Sequence, residues 1–228
     1  VSGPDPVIAW TPPALELVDG SSFPARHVWC IGRNYAEHAR EMGADPERET
    51  PLFFTKPATA LVQRETIDYP ADTRELHHEI ELVVLLREGG RDLSPAQAQV
   101  CVFGYAVGCD LTRRDVQARA KAEGKPWALA KGFDQSAPIG RVVSAVDWTP
   151  EPGMHIELSV NDQLRQHAKL GEMIWPVPEL IAQLSREVTL HPGDVLFTGT
   201  PAGVGPLVRG DRVEGRIDGL PELGFQIL

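Results

Sequence analysis

Cysteine is scarce in this chain. Cys30, Cys101 and Cys109 are the three among 228 residues, and none belongs to a CxxC pair. An odd, unpaired set argues against a disulfide framework and against a zinc knuckle. Positive charge is also short: 22 Lys and Arg face 32 Asp and Glu, a formal net charge of −10. That balance disfavours a general nucleic-acid or anionic-membrane binder, since both need a basic face. It allows a cation site, because carboxylates hold hard metals. No apolar run approaches the roughly 18–20 residues that a membrane-spanning helix requires. The opening residues, Val1-Ser-Gly-Pro-Asp-Pro, lack the basic-then-apolar pattern of a signal peptide, so the expectation is a cytoplasmic protein. No repeat period is visible, no GK[ST] completes a phosphate loop, and no dinucleotide-binding glycine spacing occurs.

What is present is punctuation. Twenty prolines and 21 glycines are scattered along the chain, which predicts many turns and short elements. Residues 1–25 read as a Pro-rich N-terminal arm with a short hairpin, and 26–228 as a single catalytic domain. A buried strand is expected at His27–Ile31, and further strands at Leu52–Thr55, Glu79–Leu86, Tyr105–Cys109 and Val195–Thr198. Asn34 with Glu37, and Ser94 with Gln97, are capping-box patterns. They predict helices running to about Met42 and over about Pro95–Phe103. Two further helices are expected, at Arg114–Glu123 and Pro176–Leu184. Hairpins are expected around Asn161-Asp162 and around Gly219. The class is α+β with a β-rich core, without the regular alternation of a doubly wound sheet.

Glu79 and Glu81 flank Ile80, and residues two apart in a strand share a face. Two neighbouring carboxylates repel when buried, and a divalent cation reverses that sign. The alternative is a solvent-facing strand edge. Asp110, at the end of an apolar strand, supplies a third carboxylate. An all-oxygen trio suits Mg²⁺ or Mn²⁺ rather than zinc and leaves coordination positions open to substrate. His77 and His78 stand beside the pair, either as further ligands or as histidines making ordinary hydrogen bonds.

His38 and Glu41 lie three apart on the first expected helix and so share a face. A carboxylate holding one imidazole nitrogen leaves the other free as a base; the competing reading is a solvated surface pair. Lys131, partly buried, suits carboxylate binding. Gly199-Thr-Pro-Ala-Gly-Val-Gly205 can present backbone N–H groups and the Thr200 hydroxyl to an anion. Arg113, Arg114 and Arg119 read as a solvated helix face.

Together these segments resemble the fumarylacetoacetate hydrolase superfamily in its short, single-domain branch. The matching residues are Gly32-Arg-Asn-Tyr-Ala-Glu-His38 with Glu41-Met42, Leu52-Phe-Phe-Thr-Lys-Pro57, His77-His-Glu-Ile-Glu81, Asp110 through Gln117, Ala130-Lys-Gly-Phe133 and Leu196 through Gly205. The resemblance implies a β-sandwich roll, commonly a homodimer, with a mobile lid helix. It implies Glu79, Glu81 and Asp110 as ligands of Mg²⁺ or Mn²⁺, His38 and Glu41 as a catalytic dyad, and Lys131 as a catalytic cation. Arg33, Gln117 and Thr200 are implied substrate contacts, and Lys56 a cation offsetting the carboxylates. The implied activity is hydrolytic C–C cleavage of a 2,4-diketo acid, with isomerisation of a 2-hydroxydienedioate or decarboxylation of oxaloacetate as neighbours using the same site. A non-catalytic carboxylate-binding module is a further reading. One departure is Lys169-Leu-Gly-Glu172, where many relatives carry small hydroxyl residues; it is expected to bear on substrate choice.

Overall fold

The computed structural model describes residues 7–8, 10–37 and 50–228. His38, Glu41 and the remainder of the expected lid helix lie outside the described residues.

A six-stranded mixed sheet forms the centre. Its order is Val143–Ser144, Val102–Cys109, Ile80–Leu86, Asp194–Phe197, His27–Ile31 and Phe53–Lys56. All pairs are antiparallel except Asp194–Phe197 with His27–Ile31. Every residue of Ile80–Leu86 is buried. Period-two alternation divides that strand between two cores: Ile80, Leu82, Val84 and Leu86 face one, and Val83 and Leu85 the other. A strand buried on both faces reads as a continuous apolar run, which is how the sequence reads.

The first core is closed by a five-stranded sheet, Gln163–Lys169, His155–Val160, Arg212–Ile217, Leu223–Ile227 and Thr66–Ile67. The helices Pro95–Cys101 and Val177–Glu187 pack on each other at its margin. The N-terminal hairpin Ala14–Glu16/Ser22–Pro24 buries Leu15 and Phe23 in the second core. The result is the expected β-rich α+β architecture.

Local signals explain the element ends. Ser94 accepts from the Gln97 N–H while Gln97 accepts from the Ser94 N–H, a complete capping box. Asn161 and Asp162 both take positive φ (50° and 62°) at the turn joining His155–Val160 to Gln163–Lys169. The Arg114–Ala122 helix ends before Gly124, at φ 63°.

Three expectations need correction. Asn34 does not spend its side chain as a helix cap. Its amide donates to the Trp175 and Thr198 carbonyls, and its oxygen accepts the Trp175 N–H at 2.8 Å. The Pro95 helix stops at Cys101, because Val102 already belongs to the Val102–Cys109 strand. Glu79 is not inside the strand but at the break between Leu76–His78 and Ile80–Leu86.

Register gathers one edge of the central sheet. Ile80 pairs with Cys109, so the next residues, Glu79 and Asp110, face each other, and the Asp110 N–H donates to the Glu79 carbonyl at 2.8 Å. Phe197 pairs with Val83 and Cys30, so the chain leaves Asp194–Phe197 as Thr198-Gly-Thr200 at this same edge. His27–Ile31 runs parallel to Asp194–Phe197 and delivers Gly32 and Arg33 there as well.

Candidate metal-dependent active site

Glu79, Glu81 and Asp110 converge, with one oxygen from each lying within 4.8 Å of the others. Their residues are 5%, 1% and 0% exposed, which rules out the solvent-facing edge as their setting. Among the described residues this is the one group of three or more potential ligands, and neither neighbouring histidine joins it. His78 is buried and its Nδ1 lies 2.9 Å from Gln166 Oε1, an ordinary hydrogen bond.

The local chemistry asks for a cation. Burial first, then the charges of Asp110 and Glu79, hold Glu81 well above the usual carboxylate range. The Gly199 N–H opposes this by donating to Glu81 Oε2 at 2.6 Å. The Gly199 loop therefore does present an N–H to an anion, but that anion is a carboxylate of the cluster. An all-oxygen donor set that raises its own proton affinity fits a hard divalent ion.

Two lysines partly neutralise the cluster. Lys131 Nζ lies 2.6 Å from Asp110 Oδ2 and 2.8 Å from Glu79 Oε2, and it donates to Thr112 Oγ1 at 2.6 Å. Lys131 is 2% exposed, more deeply buried than the sequence suggested, and is presented by the short helix Ala128–Lys131. Burial alone would lower its pKa, but the Asp110 and Glu79 carboxylates outweigh burial and raise it. Lys56 Nζ lies 2.8 Å from the other Asp110 oxygen and donates to the carbonyls of Leu111, Lys131 and Ser136.

Arg114 is the clearest miss of the sequence reading. It is not a solvated cation: Nη2 donates to Glu79 Oε1, and Nη1 to Gln117 Oε1 at 2.6 Å. Gln117 is thereby fixed, with its amide N–H groups left for another acceptor. Arg33, Gln117 and Lys131 line one cleft together with Glu79.

Gln166 escaped the sequence reading altogether. Fully buried, it accepts the Ile80 N–H at 3.0 Å and donates to Thr200 Oγ1 and the Pro201 carbonyl, each at 2.8 Å. It thus ties the backbone between Glu79 and Glu81 to the Thr200 loop. Glu172, from the departing Lys169-Leu-Gly-Glu172 segment, lines a separate cavity of about 340 Å³ with Tyr35, His167 and Pro201. The Tyr35 hydroxyl is buried there without a hydrogen-bond partner among the described residues.

Comparison with known proteins agrees with this geometry. The family described as fumarylacetoacetate (FAA) hydrolase C-terminal matches residues 27–228. The crystal structure of fumarylpyruvate hydrolase from Pseudomonas aeruginosa, in complex with Mn²⁺ and pyruvate, is 45% identical with a TM-score of 0.95, covering 98% of this chain and 99% of that one. The oxaloacetate tautomerase of Escherichia coli K12 is 42% identical, covering 86% of this chain and 90% of that protein. The mitochondrial oxaloacetate tautomerase of Mus musculus is 41% identical, covering 89% and 91%. No helix of the described residues is long and apolar enough to cross a membrane.

Proposed function

Since the chain belongs to the fumarylacetoacetate hydrolase family, we propose that it is a Mg²⁺- or Mn²⁺-dependent hydrolase of 2,4-diketo acids such as fumarylpyruvate, releasing pyruvate and a carboxylic acid. The observation that carries this reading is the buried Glu79, Glu81 and Asp110 cluster, flanked by two buried lysines at the open end of the central sheet. In this reading residues 26–228 are the single catalytic domain, residues 1–25 its arm, and the enzyme works as a homodimer. The dimer rests on the family resemblance and is checked by light scattering.

Glu79, Glu81 and Asp110 would hold the ion, which supplies Lewis-acid polarisation of the substrate's 2-keto oxygen. The chain's own residues do the rest. Thr200 Oγ1 already accepts from Gln166, so its proton is free to donate to the substrate carboxylate. Gln117, with its oxygen held by Arg114, offers an N–H to a substrate oxygen. Lys131 keeps a fixed positive charge beside the developing enolate. His38, oriented by Glu41, takes a proton from water. The water oxygen bonds to the distal carbonyl carbon, and the bond from that carbon to the pyruvate methylene breaks. The electron pair passes to the methylene, which takes a proton to give pyruvate.

Proton transfer alone, as in an oxaloacetate tautomerase, is the second reading; the E. coli and mouse relatives support it. A panel of acetylpyruvate, fumarylpyruvate and enol-oxaloacetate decides. The hydrolase reading expects pyruvate from a diketo acid and loss of that activity in His38→Ala. Fast tautomerisation of oxaloacetate with no pyruvate from either diketo acid favours the second.

A further inference from the structure

One helix face leads outward from the cluster. Arg114, Gln117 and Lys121 follow at spacings of three and four on Arg114–Ala122, so they lie in one row. At a rise of 1.5 Å per residue the row covers about 10 Å. Arg114 touches Glu79 at its inner end. At the outer end Lys121 and Arg33 line the same cleft as Glu79 and Gln117, with Phe54 and Trp127 also in its wall. Lys121 Nζ lies 5.2 Å from the Trp127 ring centroid, a cation–π contact that holds it over the cleft.

Among the described residues the charges do not balance at that outer end. The three carboxylates are matched in number by Lys56, Lys131 and Arg114, which touch Asp110 and Glu79, while Glu81 accepts the Gly199 N–H. A divalent ion at the trio would add two positive charges, which the carboxylate and enolate of a pyruvoyl head offset. Arg33 and Lys121 stand outside this balance. Among the described residues neither forms an ion pair with a carboxylate, although both line a cleft. Burial, then Arg114 and Arg33, push the Lys121 pKa down, as expected of a cation held among cations.

We propose that Lys121, with Arg33, forms a second anion-binding position that receives the far carboxylate of the substrate, so that the enzyme prefers long keto diacids over keto acids with a neutral tail. Lys121 is the specificity-determining residue, because the Trp127 ring holds its ammonium at the cleft. The proposal rests on the hydrolase reading for the identity of the head group and adds the chemistry of the tail.

The test compares Lys121→Gln with wild type on fumarylpyruvate and on acetylpyruvate, in the Mn²⁺-loaded protein. The expected result is a fall of tenfold or more in kcat/KM for fumarylpyruvate, mostly through KM. For acetylpyruvate the change stays within twofold, and Lys121→Arg restores most of the loss. Equal losses on both substrates, or none on either, overturn the proposal. A binding measurement separates this failure from failure of the hydrolase reading. Calorimetry on the same proteins compares 2-oxoadipate with its chain-matched monoacid 2-oxohexanoate. Wild type should bind 2-oxoadipate at least tenfold more tightly, and Lys121→Gln should erase the difference. If that holds while no diketo acid is cleaved, the anion position stands and the hydrolase reading falls. If diketo acids are cleaved but the two ligands bind wild type equally, the anion position falls alone.

Discussion

The side-chain amide of Gln166 donates to the Thr200 hydroxyl at 2.8 Å while its oxygen accepts the Ile80 N–H at 3.0 Å, joining the Thr200 loop to the backbone between Glu79 and Glu81. Residues far apart in sequence are thus held by one uncharged, fully buried side chain. Gln166→Leu keeps similar bulk and removes both bonds, along with those to the Pro201 carbonyl and to His78 Nδ1. The Ile80 N–H is left buried without a partner, a loss of about 1–3 kcal/mol. Urea unfolding should show it, together with a raised KM through the misplaced Thr200. Unchanged stability and KM would remove Gln166 from this role.

Lys131 neutralises Asp110 and Glu79 without metal. Lys131→Met removes one partner from a buried ionic cluster, a change that costs about 3–5 kcal/mol. Thermal melts in EDTA should show the variant well below wild type, and Mn²⁺ should raise its Tm more than that of wild type. Equal melting of the two proteins in EDTA would contradict the electrostatic account.

Gly199 sits at φ 94°, and a Cβ there would come within 2.6 Å of the Asn34 Cβ. Gly199→Ala faces both backbone strain, about 1–3 kcal/mol, and displacement of the N–H that Glu81 accepts. Weaker Mn²⁺ binding alongside lower stability is the expected pair of effects, read by calorimetry and denaturant melts.

Asp115 fixes the loop before the cluster to the start of the Arg114–Ala122 helix. It accepts from Thr73 Oγ1 at 2.5 Å and from the Arg74 N–H at 3.1 Å. Burial raises its pKa, but these hydrogen bonds outweigh burial and leave it lowered. A depressed folded pKa contributes stability above the unfolded value, about 3.9 for Asp. That contribution is lost as pH falls through the folded value. Asp115→Asn should therefore be less stable than wild type at pH 7, and the gap should close on acidification below about pH 4. A gap that stays constant with pH would assign the effect to lost packing.

Much of this was legible in the sequence because the signals are local. The apolar run in Ile80–Leu86, the Ser94 capping box and the Asn161-Asp162 turn each state their own conformation. The carboxylate cluster was legible as a pattern, but its burial was not, since Glu79 and Glu81 suit a solvated edge equally well. Gln166 could not be found: in Gln163–Lys169 it sits among exposed polar residues, and its partners come from Ile80 and Thr200, remote in sequence. Arg114 was hidden in the same way, as one arginine among three in a charged helix whose inward face only the fold decides. The short strands Leu76–His78 and Gly205–Leu207 carry too few residues to show a period.

The central claim is that one metal ion at Glu79, Glu81 and Asp110 enables hydrolytic cleavage of a diketo acid. Pyruvate release from fumarylpyruvate by chelator-stripped protein, titrated with Mn²⁺, tests it most directly. The account predicts no release without metal and a rate that rises to a plateau at one equivalent of Mn²⁺ per chain. Full-rate release in excess EDTA, or none at any Mn²⁺ concentration, would contradict it.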